Sequence, residues 1–219
     1  MNVNKPQNAL LFVEGRDDQH VVWALCKSHA IVKNFDIKRP IEQAAKADGI
    51  DQLFLLFEKQ LRIGVATAVG IMLDANSDLD GRWQNILNCI QKVNLNYQSP
   101  DNPDKTGTII ESPDGYAPRL GIWIMPNNQL SGELEDFVSW LIPDKDELAP
   151  HAENVLTQIE ADDLHRYRHK HSKAFVHTWL AWQEQPGMPM GQAITAKALS
   201  ANSLIAHIFV DWLNRLFNS

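Results

Sequence analysis

Short apolar runs that end at an acidic residue most limit how this chain can fold. Ala9–Val13 is followed at once by Glu14, and residues 67–73 are followed by Asp74. Unbroken apolar runs of this length are typical of strands that are buried on both faces of a parallel sheet. A third run, residues 120–125, ends before a proline. We therefore expect three buried strands in a mostly parallel sheet.

Helical patterns separate these runs. Apolar residues recur every three or four positions in residues 50–61 and 83–93, as on the buried face of a helix. The alternation predicts an α/β domain over residues 8–145, with a mostly parallel, Rossmann-like sheet flanked by helices. Residues 35–39 fit a further strand, and 107–110 an edge hairpin. From about residue 151 only helical patterns occur, so residues 151–219 are predicted to form a helical extension that packs on the domain.

Composition excludes several classes of protein. The 219 residues carry a net charge of −7, which rules out a uniformly basic nucleic-acid-binding surface. The sequence contains no 18-residue apolar run and residues 1–7 contain no apolar leader, so we expect a cytoplasmic protein without a membrane span. Cys26 and Cys89 lie in apolar helical patterns and are expected to be reduced core thiols. The seven tryptophans mostly follow apolar stripes, which favours core packing over base stacking.

Three acidic segments follow the predicted strands. They are Glu14, Asp74 and residues 132–136, which include Glu133 and Glu135. Because the carboxyl ends of parallel strands meet at one edge of a sheet, these carboxylates should converge there. Crowded carboxylates repel one another, and a divalent cation removes that penalty. Their hard oxygen ligands suit Mg²⁺ or Mn²⁺.

The segment after Asp74 leaves two interpretations open. Asn76 lies two positions on and could share an ion with Asp74, since alternate residues of an extended segment point the same way. Asp78 or Asp80 could also be ligands. Alternatively, both aspartates only cap the helix that carries Trp83 and stay solvated.

Two of these segments resemble a known superfamily. Residues 10–18 are similar to the opening motif of the TOPRIM superfamily, in which a hydrophobic strand delivers a Glu followed by Gly. Residues 70–76 lie where that superfamily carries its Asp-x-Asp motif. Residues 132–136 and 173–187 resemble small stand-alone bacterial TOPRIM-like proteins of unassigned function, near the OLD-family nucleases. The resemblance covers the domain at 8–145 and most of the C-terminal helices.

The resemblance implies a TOPRIM fold that holds divalent metal, in a family whose enzymes cleave, join or synthesise phosphodiester bonds. Glu14 would be a metal ligand or proton-transfer carboxylate, and Asp74 the first Asp of the motif. Asn76 replaces the second Asp, which lowers the charge available to a cation. Glu135, with Glu133 and Asp136, matches the later acidic motif of OLD-like nucleases. The expected catalytic residues are Glu14, Asp74 and Lys173.

Basic residues supply a second candidate site. Residues 165–173 contain four Lys or Arg and no acid. Within this segment Arg166, Arg168 and Lys170 are candidate phosphate contacts, as is Arg16 near the first acidic residue. Lys173 could neutralise a transition-state phosphate. The alternatives are a solvated loop or helix start, or metal binding by the three histidines of the segment, His165, His169 and His171.

These observations predict a Mg²⁺- or Mn²⁺-dependent protein that cleaves phosphodiester bonds in nucleic acid. The alternative is a non-catalytic TOPRIM-like binding or regulatory module in a defence or toxin assembly. A flavodoxin-like small-molecule binder fits the alternation but not the acidic strand ends. The sequence carries no phosphate-binding loop, so an ATPase-dependent role would need a separate ATPase partner.

The Trp179 and Trp182 pair is expected either to join the C-terminal helices to the core or to form the surface of a homodimer.

Overall fold

A computed structural model describes residues 8–40, 49–168 and 170–218. Within these residues the chain forms five strands and eight helices. In chain order they are β1 (Ala9–Val13), α1 (Arg16–Ser28), β2 (Phe35–Lys38), α2 (Gly49–Ile63), β3 (Ala68–Asp74), α3 (Leu79–Val93), β4 (Thr108–Ile110), β5 (Arg119–Met125), α4 (Leu134–Ser139), α5 (Leu148–Ala161), α6 (His171–Ala181), α7 (Met190–Thr195) and α8 (Leu204–Phe217).

The strands form one mostly parallel sheet, which confirms the predicted fold class. Its strand order is β2-β1-β3-β5-β4. Neighbouring strands are parallel from β2 to β5, whereas β4 runs antiparallel to β5 at the edge. The three apolar runs are β1, β3 and β5, which occupy the centre of the sheet. Because they are parallel, their carboxyl ends all lie at one edge.

Helices cover both faces of the sheet. On one face α2 and α3 supply Phe57 and Trp83 to an apolar layer with the sheet. On the other face α1, α4 and the C-terminal helices pack in a second layer, in which the Trp123 ring meets Phe209 edge to face, with ring centroids 4.9 Å apart. Cys26 and Cys89 are buried and unpaired, as expected.

Helix α8 reaches the sheet through Leu216. A Cβ atom added to Gly121 of β5 would lie 2.2 Å from Leu216 Cδ2, and one added to Gly70 of β3 would lie 3.0 Å from the same atom. The two strands therefore need glycine where this helix crosses them, because a larger residue would push it away.

The division into units at 8–145 and 151–219 stays a prediction.

The C-terminal part differs in detail from the expectation. Helix α5 begins at Leu148, before the expected start near residue 151, and α7 was not predicted. Helix α7 has only six residues, too few to show a helical repeat in the sequence.

The tryptophans differ in burial. Trp83, Trp123, Trp179 and Trp212 are fully buried, whereas Trp23, Trp140 and Trp182 are partly exposed. None of the helices in the described ranges is both long and apolar enough to span a membrane.

Candidate metal centre

Glu14 and Asp74 meet where β1 and β3 end. The two strands pair in parallel, with Val13 opposite Met72, so Glu14 follows β1 close to Asp74, the last residue of β3. The backbone N–H of Asp74 donates a hydrogen bond to Glu14 Oε1 at 2.8 Å. Two residues 60 positions apart thus lie in direct contact, as the parallel sheet predicted.

The third acidic segment joins them through the backbone. Asn76 and Gly132 form an isolated antiparallel bridge, in which each N–H donates to the other carbonyl at 2.7 Å. Two residues later the N–H of Leu134 donates to Asp74 Oδ1 at 2.9 Å. These bonds hold the start of α4 against the end of β3. Glu133 and Glu135, on either side of Leu134, are both buried there.

Asp18 is a member of the site that sequence reasoning did not select. It lies in the first turn of α1, where Oδ2 accepts a hydrogen bond from the N–H of Gly15 at 2.9 Å. Its other oxygen, Oδ1, is buried and has no hydrogen-bond partner among the described residues. A buried oxygen without a hydrogen-bond partner is uncommon in folded proteins, and a bound ion or water is one explanation for it. The available signal was the spacing from Glu14, since an acid one helical turn after a strand end faces back toward that end.

The five carboxyl groups, here called the acidic cluster, are Glu14, Asp18, Asp74, Glu133 and Glu135. Burial, followed by the charges of Asp18, Glu14, Glu135 and Glu133, raises the pKa of Asp74 to about 9. Burial and the charges of Glu14 and Glu135 raise the pKa of Asp18 to about 7. Both acids therefore hold a proton far above their usual range unless a cation replaces it.

Two lysines from the start of α6 contact this cluster. Lys170, which precedes the helix, places Nζ 2.5 Å from Glu133 Oε2. Lys173 places Nζ 2.6 Å from Glu135 Oε1. Partial burial lowers the pKa of Lys173, but its hydrogen bond to Glu135 and the nearby acids raise it overall. These α6 lysines neutralise two of the five carboxylates.

The donor set suits a hard divalent cation. Asp18, Glu14 and Asp74 offer carboxylate oxygens, and the partnerless Asp18 Oδ1 supplies a buried acceptor for an ion. Among the residues that the structure describes, no three His, Cys, Asp or Glu side chains already form a group able to hold a metal ion. Side chains of the acidic cluster would therefore have to turn toward the ion.

The residues after Asp74 lie at the margin of the cluster. Asn76 is exposed and has a left-handed backbone conformation, with φ of 52°. Asp78 precedes α3, and its Oδ1 accepts a hydrogen bond from the N–H of Gly81 at 2.8 Å. Asp80 is exposed in the first turn of that helix. Asp78 is thus the N-cap of α3, whereas Asp80 adds a negative charge within the first turn.

The basic residues divide between the cleft and other contacts. Arg168 and Lys170 line a cleft of about 290 Å³ together with Asn76 and Glu133. Arg16 is exposed in the first turn of α1, and Arg166 is also exposed. Arg168 and Lys170 thus share this cleft with Glu133 of the acidic cluster, whereas Arg16 and Arg166 are not among the described residues that line it.

The histidines of this segment have other surroundings. His171 places Nδ1 2.7 Å from Glu160 and Nε2 3.1 Å from Glu153, so both ring nitrogens face carboxylates of α5. The Tyr167 hydroxyl donates to the same Glu160 at 2.7 Å. His165 Nδ1 is buried, and no group in the described part of the chain hydrogen-bonds to it. His169 lies outside the described residues.

Comparison with known proteins identifies a family but no activity. No curated protein and no solved structure matches the chain. The sequence model of a family described as "Protein of unknown function (DUF3226)" matches residues 8–218. That match spans both the acidic cluster and the lysines of α6. The chain therefore belongs to the DUF3226 family.

Proposed function

We propose that this protein binds Mg²⁺ or Mn²⁺ in the acidic cluster and cleaves phosphodiester bonds in nucleic acid. The main support is the contact between Glu14 and Asp74 beside the partnerless oxygen of Asp18. Burying mutually repelling carboxylates costs stability, and a divalent cation offsets that cost. The resemblance to the TOPRIM superfamily favours the same chemistry.

The proposed roles follow from position. Glu14, Asp18 and Asp74 would hold the ion, and Glu133 and Glu135 lie close enough to add charge. A bound divalent ion stabilises the charge that develops on phosphate oxygens and lowers the pKa of a bound water. A Glu14 carboxylate oxygen could accept a proton from the attacking water, since it lies at the strand end where substrate would enter.

The cleft beside the acidic cluster suits a phosphate backbone. Arg168 and Lys170 contribute positive charge to its wall, while Glu133 and Asp136 contribute negative charge. Such a mixed wall would favour a phosphate that arrives together with a cation over a phosphate alone. Lys173, next to Glu135, could then neutralise charge on the phosphate undergoing cleavage.

Two observations favour a second candidate, a non-catalytic binding or regulatory module in a defence or toxin assembly. Asn76 carries no charge at the position where the TOPRIM motif has its second Asp. In addition, Glu133 and Glu135 already have lysine partners. This second candidate would act with a partner, either a separate ATPase or another component of a defence system. It could also form a homodimer.

A nuclease assay separates the two candidates. Single- and double-stranded DNA and RNA are incubated with the protein and either Mg²⁺ or Mn²⁺. We expect cleavage by the wild type, loss of cleavage in Glu14→Gln, and retention in Asp17→Asn, an exposed neighbour in α1. If the wild type is inert with every substrate and metal, or Glu14→Gln cleaves equally well, the enzyme proposal fails. An inert protein that still binds a partner would favour the module.

A further inference from the structure

The first turn of α6 is fixed to the acidic cluster by successive contacts. Lys170 pairs with Glu133 at 2.5 Å and Lys173 pairs with Glu135 at 2.6 Å. Between them, the Ser172 hydroxyl donates a hydrogen bond to Asp136 Oδ1. All three contacts link the start of α6 to the start of α4, so the two ammonium groups are held beside neighbouring carboxylates.

The two ion pairs differ from ordinary surface pairs in the burial of their acids. Glu135 is only 3% exposed and Glu133 9% exposed, whereas both lysine side chains are nearly half exposed. A buried carboxylate without a partner is costly. The exposed lysines can be released into water at a smaller cost, because their ammonium groups hydrate readily. The acids therefore need a cation, but not necessarily a lysine.

We infer that the α6 lysines are tethered counter-ions, which a divalent cation displaces from Glu133 and Glu135 when it enters the acidic cluster. This inference rests on the proposed function, because it assumes that the cluster binds such an ion. Ion and lysines compete, since both are positive charges drawn to the same carboxylates. Displacement has a second effect, because it frees two ammonium groups beside the cleft that Lys170 and Arg168 line. Cation binding thus prepares the cleft for a phosphate group.

The reciprocal relation follows from thermodynamic linkage. If the cation releases the lysines and phosphate then binds them, each ligand must strengthen the binding of the other. The free protein would bind inorganic phosphate weakly, since its lysines are already paired. This coupling makes the site selective for polyanions that arrive with metal.

Mn²⁺ affinity, measured by calorimetry on the full chain, tests the inference. We expect Lys173→Met and Lys170→Met to bind Mn²⁺ about tenfold more tightly than the wild type, because each removes a competing charge. Lys173→Arg keeps the charge and should bind like the wild type. Lys59→Met removes an exposed charge from α2 and should also change nothing. Unchanged or weaker binding in both methionine variants would overturn the inference but leave the proposed function standing.

Two further outcomes keep the test decisive. If no variant and no wild-type sample binds Mn²⁺, both the inference and the proposed function fail. If a methionine variant does not fold, hydrogen exchange of the wild-type amides in residues 174–178, which donate the first hydrogen bonds of α6, replaces it. Mg²⁺ should then speed exchange in this turn, because it breaks the contacts to α4, whereas slower or unchanged exchange would overturn the inference.

Discussion

The Asp18 carboxyl group is 7% exposed, and burial with the charges of Glu14 and Glu135 raises its pKa to about 7. The folded state thus holds a proton that the unfolded chain releases near its ordinary pKa of 3.8. In the metal-free protein this group lowers stability progressively as pH rises between those two values. Above the higher value the full penalty is present.

Asp18→Asn removes that penalty while it keeps an oxygen for the N–H of Gly15. We expect the metal-free variant to gain about 1–3 kcal/mol in unfolding free energy near pH 8, and much less near pH 4. Urea unfolding in the presence of a chelator measures both values. Asp17→Asn, which alters the exposed neighbour, should change stability little at either pH. A loss of stability in Asp18→Asn at the higher pH would show that the carboxylate is stabilising as it stands.

At the scale of elements, the sequence predicted what depends on local pattern. Apolar runs marked β1, β3 and β5, and their parallel pairing brought Glu14 to Asp74. It could not predict α7, whose six residues show no repeat, or the contacts of Lys170 and Lys173, which depend on how α6 packs on α4. Asp18 was missed because an acid in the first turn of a helix is normally read as a cap.

The packing of α8 on the sheet depends on Gly121. Because an added Cβ would lie 2.2 Å from Leu216 Cδ2, Gly121→Ala should lower the unfolding free energy by about 1–3 kcal/mol. Urea denaturation measures the loss. Gly49→Ala is the matched control, since a Cβ there meets no atom of the described residues within 4 Å. Combining Gly121→Ala with Leu216→Ala should cost less than the sum of the two, and strict additivity would argue against this contact.

His171 joins α6 to α5, and this link should depend on pH. Its hydrogen bond to Glu160, opposed by partial burial and supported by Glu153, raises the pKa of His171 overall. Its stabilisation is therefore fully present below the unfolded pKa of about 6.5 and is lost as pH rises through the higher folded pKa.

We expect His171→Gln to lower the melting temperature more at about pH 6 than at about pH 9. The difference should correspond to less than about 1 kcal/mol, since the pair is partly exposed and screened. Differential scanning calorimetry at both pH values measures it. His151→Gln, at an exposed position in α5, serves as control. An equal effect of His171→Gln at both pH values would indicate packing instead of charge.

At the scale of the whole molecule, the acidic cluster connects elements that are distant in the chain. Glu14 follows β1, Asp18 lies in α1, Asp74 ends β3, and Glu133 and Glu135 begin α4. A cation that binds them links these elements in the folded state only. Because such a ligand binds the folded chain and not the unfolded one, it must raise the stability of the whole fold.

Mn²⁺ at about 100 times its dissociation constant should add roughly 2.7 kcal/mol. For a chain of this size that gain raises the melting temperature by about 5–11 °C. Asp74→Asn should abolish the shift without destabilising the metal-free fold. The pKa of Asp74 is raised to about 9, so its side chain is already neutral near pH 7 and an amide resembles it. Asp78→Asn should keep the shift, because asparagine also caps a helix. Thermal unfolding with and without Mn²⁺ compares the three proteins. A shift that survives Asp74→Asn would argue against an ion in the acidic cluster. A shift that disappears in Asp78→Asn would place the ion at the start of α3.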